Sequence, residues 1–259
     1  MALPPLPKKP FNPTPVWVAL LAALFYVVAV ELDVGFAELA WGARDMVEFL
    51  SRFTSPDFSD LGRYARLMGE TLAIGLWGTA LAVVIGMLAA PFAARNLSPS
   101  PVVYRVTREV LNLVRAMPDL LLALIFVAAI GLGPLPGVLA LGLHTGAFLG
   151  KFYAECLERV DRGTYEAVRA SGANFLQVTV WAGWPSILQE LVSYAIYVLD
   201  RNVRMAVVLG LVGAGGVGIA LTTTLRLFEY SRASALILVV LATILAIDYL
   251  SAWLRAKVR

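Results

Sequence analysis

Cysteine, histidine and charge are all scarce in this sequence of 259 residues. The single cysteine, Cys156, excludes a disulfide framework and a multi-cysteine metal site. The single histidine, His144, argues against haem or zinc sites built from several imidazoles. The formal net charge is only +3, so nucleic acid, which binds strongly basic surfaces, is not an expected partner.

Apolar side chains, by contrast, make up 59% of the chain and charged ones only 15%, with a mean hydropathy of +0.77. Soluble domains average about 45–50% apolar and about 25% charged residues. A chain of this composition cannot bury its apolar side chains in one compact core and still cover its surface with polar groups. The sequence therefore predicts an all-α, polytopic membrane protein.

A helix needs about 20 mostly apolar residues to cross the bilayer core. A dense glycine–proline segment, residues 131–137, breaks one long apolar run and predicts a tight hairpin there. Six spans are expected, at residues 16–34, 67–94, 111–131, 138–157, 187–212 and 233–254. Residues 1–66 then hold an N-terminal tail, the first span and an outer interfacial segment, and residues 67–259 form the transmembrane domain.

The distribution of basic residues predicts the orientation of these spans. With six spans both termini share one side, and that side carries 11 Lys and Arg residues against 6 on the other. Because basic loops stay in the cytoplasm, both termini are expected there. The first loop on the outer side is acidic.

Two glycine-rich segments imitate nucleotide-binding motifs. Residues 213–218 fit G-x-G-x-x-G but follow a membrane helix, without the strand and the correctly spaced acid that the motif requires. Residues 146–151 resemble a phosphate loop but have one residue too few and lack the serine or threonine after Lys151. We therefore expect no cofactor and no ATPase site in this chain.

Charged residues inside the expected spans are costly, each by roughly 2.5–3.5 kcal/mol at a helix centre, so they should pair or face water. Among those away from the span ends, six are singled out: Arg115, Asp119, Lys151, Asp200, Arg201 and Arg204. Arg115 and Asp119 are four residues apart, and the favoured interpretation is an ion pair on one helix face.

The fifth span carries the cluster Asp200-Arg201-Asn202-Val203-Arg204 near its middle. Asp200 can pair with Arg204 at i,i+4, which leaves Arg201 without a partner in its own helix. A guanidinium at this depth indicates a polar passage, and its planar fork suits oxyanions. The alternative is an ion pair between helices, with Asp119 or Glu190. Candidate pathway residues are Asp200, Arg201, Asn202 and Arg204.

The loop between the fourth and fifth spans reads Glu166-Ala167-Val168-Arg169-Ala170-Ser171-Gly172, and Pro185 follows thirteen residues after that glycine. This resembles the E-A-A-x-x-x-G cytoplasmic loop of permease subunits in ABC importers. Val168 replaces the usual alanine, and Ala182-Gly183-Trp184-Pro185 keeps only the proline of the usual I-x-L-P ending. Other stretches resemble the phosphonate-uptake permeases: residues 70–74, 115–118, 131–134, 202–204 and 208–216.

The resemblance implies a type I importer permease of the inner (plasma) membrane of a bacterium. It would work as a homodimer with two cytoplasmic ATPase subunits and an extracytoplasmic binding protein. ATP and Mg would bind the ATPase subunits, and this chain would catalyse nothing. The loop at about 158–186 would dock on the ATPase, with coupling residues Glu166, Ala167, Arg169, Gly172 and Pro185. Glu166 would begin a short segment with small residues that allow close approach, Gly172 would let the chain turn, and Pro185 would set the start of the next helix. The glycines Gly213, Gly215 and Gly216 would form part of a gate at the outer mouth; the alternative is that they serve helix packing alone.

The implied substrate is phosphonate, phosphate, phosphite or another small phosphorus oxyanion. Three alternatives remain open. The chain could serve an ABC importer for a different small solute, or it could be an ATP-independent, ion-driven secondary transporter. It could also be an intramembrane enzyme that uses His144 with Asp119 or Lys151.

Overall fold

The computed structural model describes residues 13–31 and 36–258. The basic, proline-rich N-terminal tail, expected on the cytoplasmic side, lies outside the described residues. All regular structure in the described ranges is helical, which confirms the all-α prediction. The helices are α1 (Thr14–Glu31), α2 (Phe36–Ser51), α3 (Leu61–Ala93), α4 (Pro101–Ala116), α5 (Asp119–Ile130), α6 (Pro134–Arg159), α7 (Arg162–Ala170), α8 (Phe175–Val178), α9 (Trp184–Ser186), α10 (Leu188–Gly210), α11 (Val217–Arg226) and α12 (Tyr230–Val258). A π-helical segment, Thr179–Gly183, joins α8 to α9.

The chain forms two compact units, Met1–Thr54 and Ser55–Arg259, whereas the sequence suggested a boundary after residue 66. In the first unit, α1 buries none of its residues and exposes large apolar side chains such as Trp17 and Phe25. An apolar helix with no buried face is what a span surrounded by lipid requires. The interfacial position expected for residues 35–66, which include α2, stays a prediction.

Within the residues that the structure describes, three helices are long and apolar enough to cross a membrane: α1, α3 and most of α12. The bent pair α4–α5 would add a fourth span if it is counted as one. Helices α6 and α10 have 26 and 23 residues, which is long enough, but their polar and charged residues keep them below the same threshold. The predicted count of six spans is therefore not confirmed.

The third predicted span, residues 111–131, is wrong as a single helix. Helix α4 ends at Ala116, α5 begins at Asp119, and the two are bent by 87°. The cause is Pro118, whose ring disfavours helical backbone at the preceding residue; Met117 is extended, with φ −80° and ψ 128°. The break also removes the expected i,i+4 pair, and Arg115 instead lies over the ring of Phe148, 5.5 Å from its centroid.

The centre of the second unit is the close pairing of α3 with α6. Glycines on each helix face large side chains of the other. A Cβ added at Gly78 would lie 2.9 Å from Cβ of Leu141, and one added at Gly142 would lie 2.5 Å from Cδ2 of Leu81. Small residues let membrane helices approach closely, so these glycines set the distance between α3 and α6.

Helix α10 packs against α3, α6 and α12, and the short α11 lies against α12. The segment before α3 is joined to the start of α12, because Asp57 N–H donates to the carbonyl of Ser231 over 2.9 Å. Ser59 N–H donates to the Asp57 carboxylate over 2.9 Å, and chiefly this bond lowers the pKa of Asp57. The start of α12 is thus held beside the start of α3.

Candidate translocation site and coupling loop

Three charged or titratable side chains meet where α5, α6 and α10 converge, and we call them the Asp–His–Arg cluster. Asp119 Oδ1 lies 2.8 Å from Nε2 of His144, and Asp119 Oδ2 lies 3.1 Å from a guanidinium nitrogen of Arg201. The other ring nitrogen of His144, Nδ1, is 3.1 Å from the carbonyl oxygen of Met117. One carboxylate therefore bridges two cation-forming groups from two other helices.

Burial within the cluster is uneven. The side chains of Asp119 and His144 are 6% and 11% exposed, whereas that of Arg201 is 33% exposed. Arg201 therefore has one side against Asp119 and another that is open. Of the two interpretations of Arg201 from the sequence, the ion pair between helices is confirmed, with Asp119 as the partner. That Arg201 also lines an oxyanion pathway stays a prediction.

A second charged cluster lies on the same helix. Arg204 forms the predicted i,i+4 ion pair with Asp200, which is confirmed, and a further one with Asp248 of α12 over 3.2 Å. Two carboxylates thus surround one guanidinium, whose side chain is still 45% exposed. The sequence did not indicate Asp248, because it lies in the distant helix α12.

Asn202 lies between these arginines in the chain but is completely buried. Its amide nitrogen donates to Oγ1 of Thr79 on α3 over 3.0 Å and to Oγ1 of Thr145 on α6 over 3.2 Å. Asn202 therefore joins the three helices of the core. Within the predicted pathway set, Arg201 and Arg204 have substantially exposed side chains, while Asp200 and Asn202 are buried.

The glycine segment after α10 lies against the loop between α5 and α6, since Gly133 N–H donates to the carbonyl of Gly213 over 3.0 Å. The N-terminus of α11 is satisfied from α3: the Glu70 carboxylate accepts from Gly216 N–H over 3.0 Å, and Thr71 Oγ1 accepts from Val217 N–H over 2.9 Å. Both α3 residues lie in a stretch with family resemblance, but this role was not predicted from the sequence, because helix capping from another helix leaves no local pattern.

A glycine is required at position 216 for two reasons. Its φ is +72°, a left-handed conformation that favours glycine. A Cβ there would also collide with the hydroxyl of Thr71. Gly213 and Gly215 have positive φ as well, at 96° and 88°. The three predicted gate glycines therefore form one tight turn against α3 and α6; a gating role stays a prediction.

The predicted coupling loop contains α7. Glu166 lies inside this helix, which already starts at Arg162 because the Asp161 side chain accepts from Gly163 N–H. Pro185 lies in the first turn of α9, as expected for a proline at the start of a helix, and the long helix α10 begins at Leu188. Gly172 has φ +82° after the end of α7, which confirms the expected turn.

Tyr165 anchors this loop to the transmembrane helices. Its side chain is buried, and its hydroxyl donates to the carbonyl of Leu157 on α6 over 2.9 Å; burial raises the pKa of Tyr165 to about 12. Arg169 donates to the carbonyl of Asn96 over 3.3 Å. Glu166, Ala167 and Arg169 are exposed. The loop therefore presents a free face while its opposite face is fixed.

Residues 82–259 match the family described as the binding-protein-dependent transport system inner membrane component. The chain belongs to this family. Family membership confirms the predicted ABC importer permease class, whose partners are ATPase and substrate-binding subunits, and it gives the chain its place as a multi-pass protein of the inner membrane.

Three curated relatives have names that specify a transport system. The phosphite transport system permease protein PtxC of Stutzerimonas stutzeri is 45% identical over 200 residues, 77% of this chain and 73% of that protein. The putative phosphite permease HtxC of the same organism is 37% identical over 248 residues, 96% and 86% of the two chains. The phosphate-import permease PhnE of Mycolicibacterium smegmatis is 42% identical over 214 residues, 83% of this chain but only 40% of its own length.

Solved structures support the fold. An inward-facing MetNI methionine ABC transporter has a chain that aligns with a TM-score of 0.64 at 22% identity, covering 75% of this chain and 95% of that one. A chain of an amino acid ABC transporter aligns with a TM-score of 0.60 at 15% identity. The predicted importer-permease fold is thus confirmed by structure as well as by sequence.

Proposed function

We propose that this chain is the permease subunit of an ATP-driven importer for a small phosphorus oxyanion, such as phosphonate, phosphite or phosphate. Relatives named for phosphite and phosphate import, at 37–45% identity over most of this chain, support the substrate class. The observation that carries the proposal is Arg201, whose partly open guanidinium lies at the centre of α10. A guanidinium binds oxyanions through two parallel hydrogen bonds.

The transport unit in this proposal contains two copies of the chain, two cytoplasmic ATPase subunits that bind ATP and Mg, and an extracytoplasmic binding protein. The exposed arginines of α10 from both copies would face one central passage. Both termini and the coupling loop would lie in the cytoplasm. Co-purification of two differently tagged copies tests the homodimer; recovery of each tag only with a different, related permease chain would contradict it.

The test of function is uptake by the complete importer reconstituted in proteoliposomes. Phosphite, phosphate and methylphosphonate are offered separately, with methionine as the comparison solute. We expect ATP-dependent uptake of at least one phosphorus oxyanion, and a loss of roughly tenfold or more in Arg201→Ala with partial retention in Arg201→Lys. Arg226→Ala, which changes an exposed arginine at the end of α11, is the matched control.

Two results would reject the proposal. One is an assembled complex that hydrolyses ATP but imports none of the phosphorus oxyanions. The other is uptake driven by an ion gradient without ATP, which would favour a secondary transporter. Unchanged oxyanion uptake in Arg201→Ala would remove that residue from the pathway while leaving the substrate class intact.

A further inference from the structure

The feature not yet used by the proposed function is His144, the only histidine of the chain. Both of its ring nitrogens face oxygen atoms at hydrogen-bonding distance. Nδ1 lies 3.1 Å from the Met117 carbonyl oxygen, and Nε2 lies 2.8 Å from Asp119 Oδ1. The Met117 carbonyl is free to accept because Pro118 ends α4 immediately after it.

These two contacts fix the number of protons. A carbonyl oxygen can only accept, so Nδ1 must carry a proton. A second proton must lie between Nε2 and Asp119, because two lone pairs 2.8 Å apart would repel each other. Asp119 is favoured as the carboxylate, since Arg201 lies at its other oxygen and the positive end of the α5 dipole is adjacent. Both contacts are therefore satisfied together when each ring nitrogen of His144 carries a proton.

In that state the cluster carries one surplus positive charge, because two cations share the single carboxylate of Asp119. The nearest acid along α10, Asp200, is paired with Arg204, and Glu70 of α3 accepts from Gly216 N–H. Helix α3 has no charged residue from Thr71 to its end. Lys151, the next charged residue on α6, donates to Asn112 of α4, and Arg115 lies over Phe148. In the described residues, Asp119 is the one carboxylate in ion-pair contact with either cation.

We propose that His144 is a positioning residue of the transport pathway, which holds Asp119 while Arg201 exchanges that carboxylate for the oxyanion. This inference rests on the proposed function. The exchange would otherwise leave a buried carboxylate without a partner, which proteins tolerate poorly. With His144 protonated, Asp119 keeps the His144 ring as its partner over 2.8 Å. The guanidinium of Arg201 can then leave Asp119 and bind the substrate. If His144 loses this proton, Asp119 loses its hydrogen-bond donor and the cluster loses its surplus positive charge.

The protonation state can be read directly. The complete importer is labelled with ¹⁵N-histidine, without a histidine tag, and its solid-state NMR spectrum is compared with that of a His144→Gln complex, so that the difference contains one imidazole. We expect both ring nitrogens protonated at pH 7. A neutral ring with one bare nitrogen would overturn the proposal, and this result does not depend on which substrate is carried.

Transport tests the positioning role. With phosphite as the probe, His144→Gln should raise the KM for uptake roughly tenfold, since a unit charge near the substrate is lost. The KM of the unchanged protein should rise as the pH rises and the imidazolium loses its proton. The ratio of the two KM values should therefore approach one at high pH. Phosphite itself also titrates, but its protonation is the same for both proteins at a given pH, so it does not affect the ratio of their KM values.

A double variant separates positioning from folding. Asp119→Asn removes the buried carboxylate that requires a charged partner. It should therefore restore part of the uptake lost in His144→Gln. A structural role predicts instead less assembled complex, a KM ratio that does not change with pH, and a further loss in the double variant; that pattern would overturn the proposal. If the unchanged importer takes up phosphate or methylphosphonate but not phosphite, the same series is run with that anion.

Discussion

At the scale of single residues, the absence of a side chain determines how closely α3 and α6 approach. Gly78 and Gly86 on α3 each face the Cβ of a leucine on α6 at less than 3 Å from where their own Cβ would be. A leucine Cβ is fixed to the backbone, so it cannot move aside as the end of a flexible side chain can. An added methyl group must therefore separate the helices.

Alanine substitutions on α3 test this directly. Gly78→Ala should lower the free energy of unfolding by about 1–3 kcal/mol, the usual range for overpacking. Gly69→Ala is the matched control on the same helix, because nothing lies within 4 Å of its added Cβ; it should be neutral or stabilising by roughly 0.5–1 kcal/mol. The buried thiol of Cys156, the only one in the chain, reports unfolding through a thiol-reactive dye.

The test depends on which of the two variants is less stable, and Gly78→Ala should be. Equal unfolding temperatures for Gly78→Ala and Gly69→Ala would mean that the helices can separate without cost, and that glycine does not set their distance.

The charged residues of α10 show how far the sequence alone could predict the site. Their positions in an apolar run marked them as costly, and the i,i+4 spacing of Asp200 and Arg204 gave one correct pair. The partner of Arg201 could only be offered as an alternative, since Asp119 is 82 residues away in the chain. The role of His144 depends on a carbonyl exposed by the break at Pro118, and composition does not encode that geometry.

At the scale of helices, most boundaries could be predicted from apolar runs, because a helix satisfies its own backbone in lipid. The α4–α5 bend could not, since a hydropathy window averages across Pro118 and proline occurs within many membrane helices. The start of α7 was likewise not predicted from the sequence, because it depends on the capping side chain of Asp161. Local hydrogen bonds therefore decide the details that periodicity leaves open.

Helix α7 carries the prediction at this scale. Glu166 is exposed on α7, while Tyr165 beside it is buried and bonded to α6. Reversal of the exposed charge in Glu166→Arg should leave the fold intact, because surface substitutions usually change stability by no more than about 0.5 kcal/mol. It should reduce uptake per ATP hydrolysed several-fold, since the altered face no longer fits the ATPase.

The measurement compares ATP hydrolysis and phosphite uptake in the same proteoliposomes. Glu48→Arg is the control, because Glu48 is also an exposed acid on a helix, α2 of the first unit, where it pairs with Arg52 on the surface. Normal uptake per ATP in Glu166→Arg would show that this part of α7 does not transmit the nucleotide cycle.

At the scale of the whole molecule, the second unit has two ends separated by α3. Ser55 precedes α3 at one end. Ser171 follows α7 at the other end, where Arg169 bonds to Asn96 just beyond the last turn of α3. A helix of 33 residues is about 50 Å long, which exceeds the thickness of the bilayer core. The two serines should therefore face opposite sides of the membrane.

The excess of basic residues on one side predicts which end is cytoplasmic, and cysteine labelling can test it because the native Cys156 is buried and gives little background. Both serines are exposed. A membrane-impermeant maleimide should label Ser55→Cys in spheroplasts, and Ser171→Cys only after the membrane is opened. The reverse pattern would invert the topology and place α7 where no cytoplasmic ATPase could reach it. Coupling through Glu166 would then be impossible, even if phosphorus oxyanions were still transported.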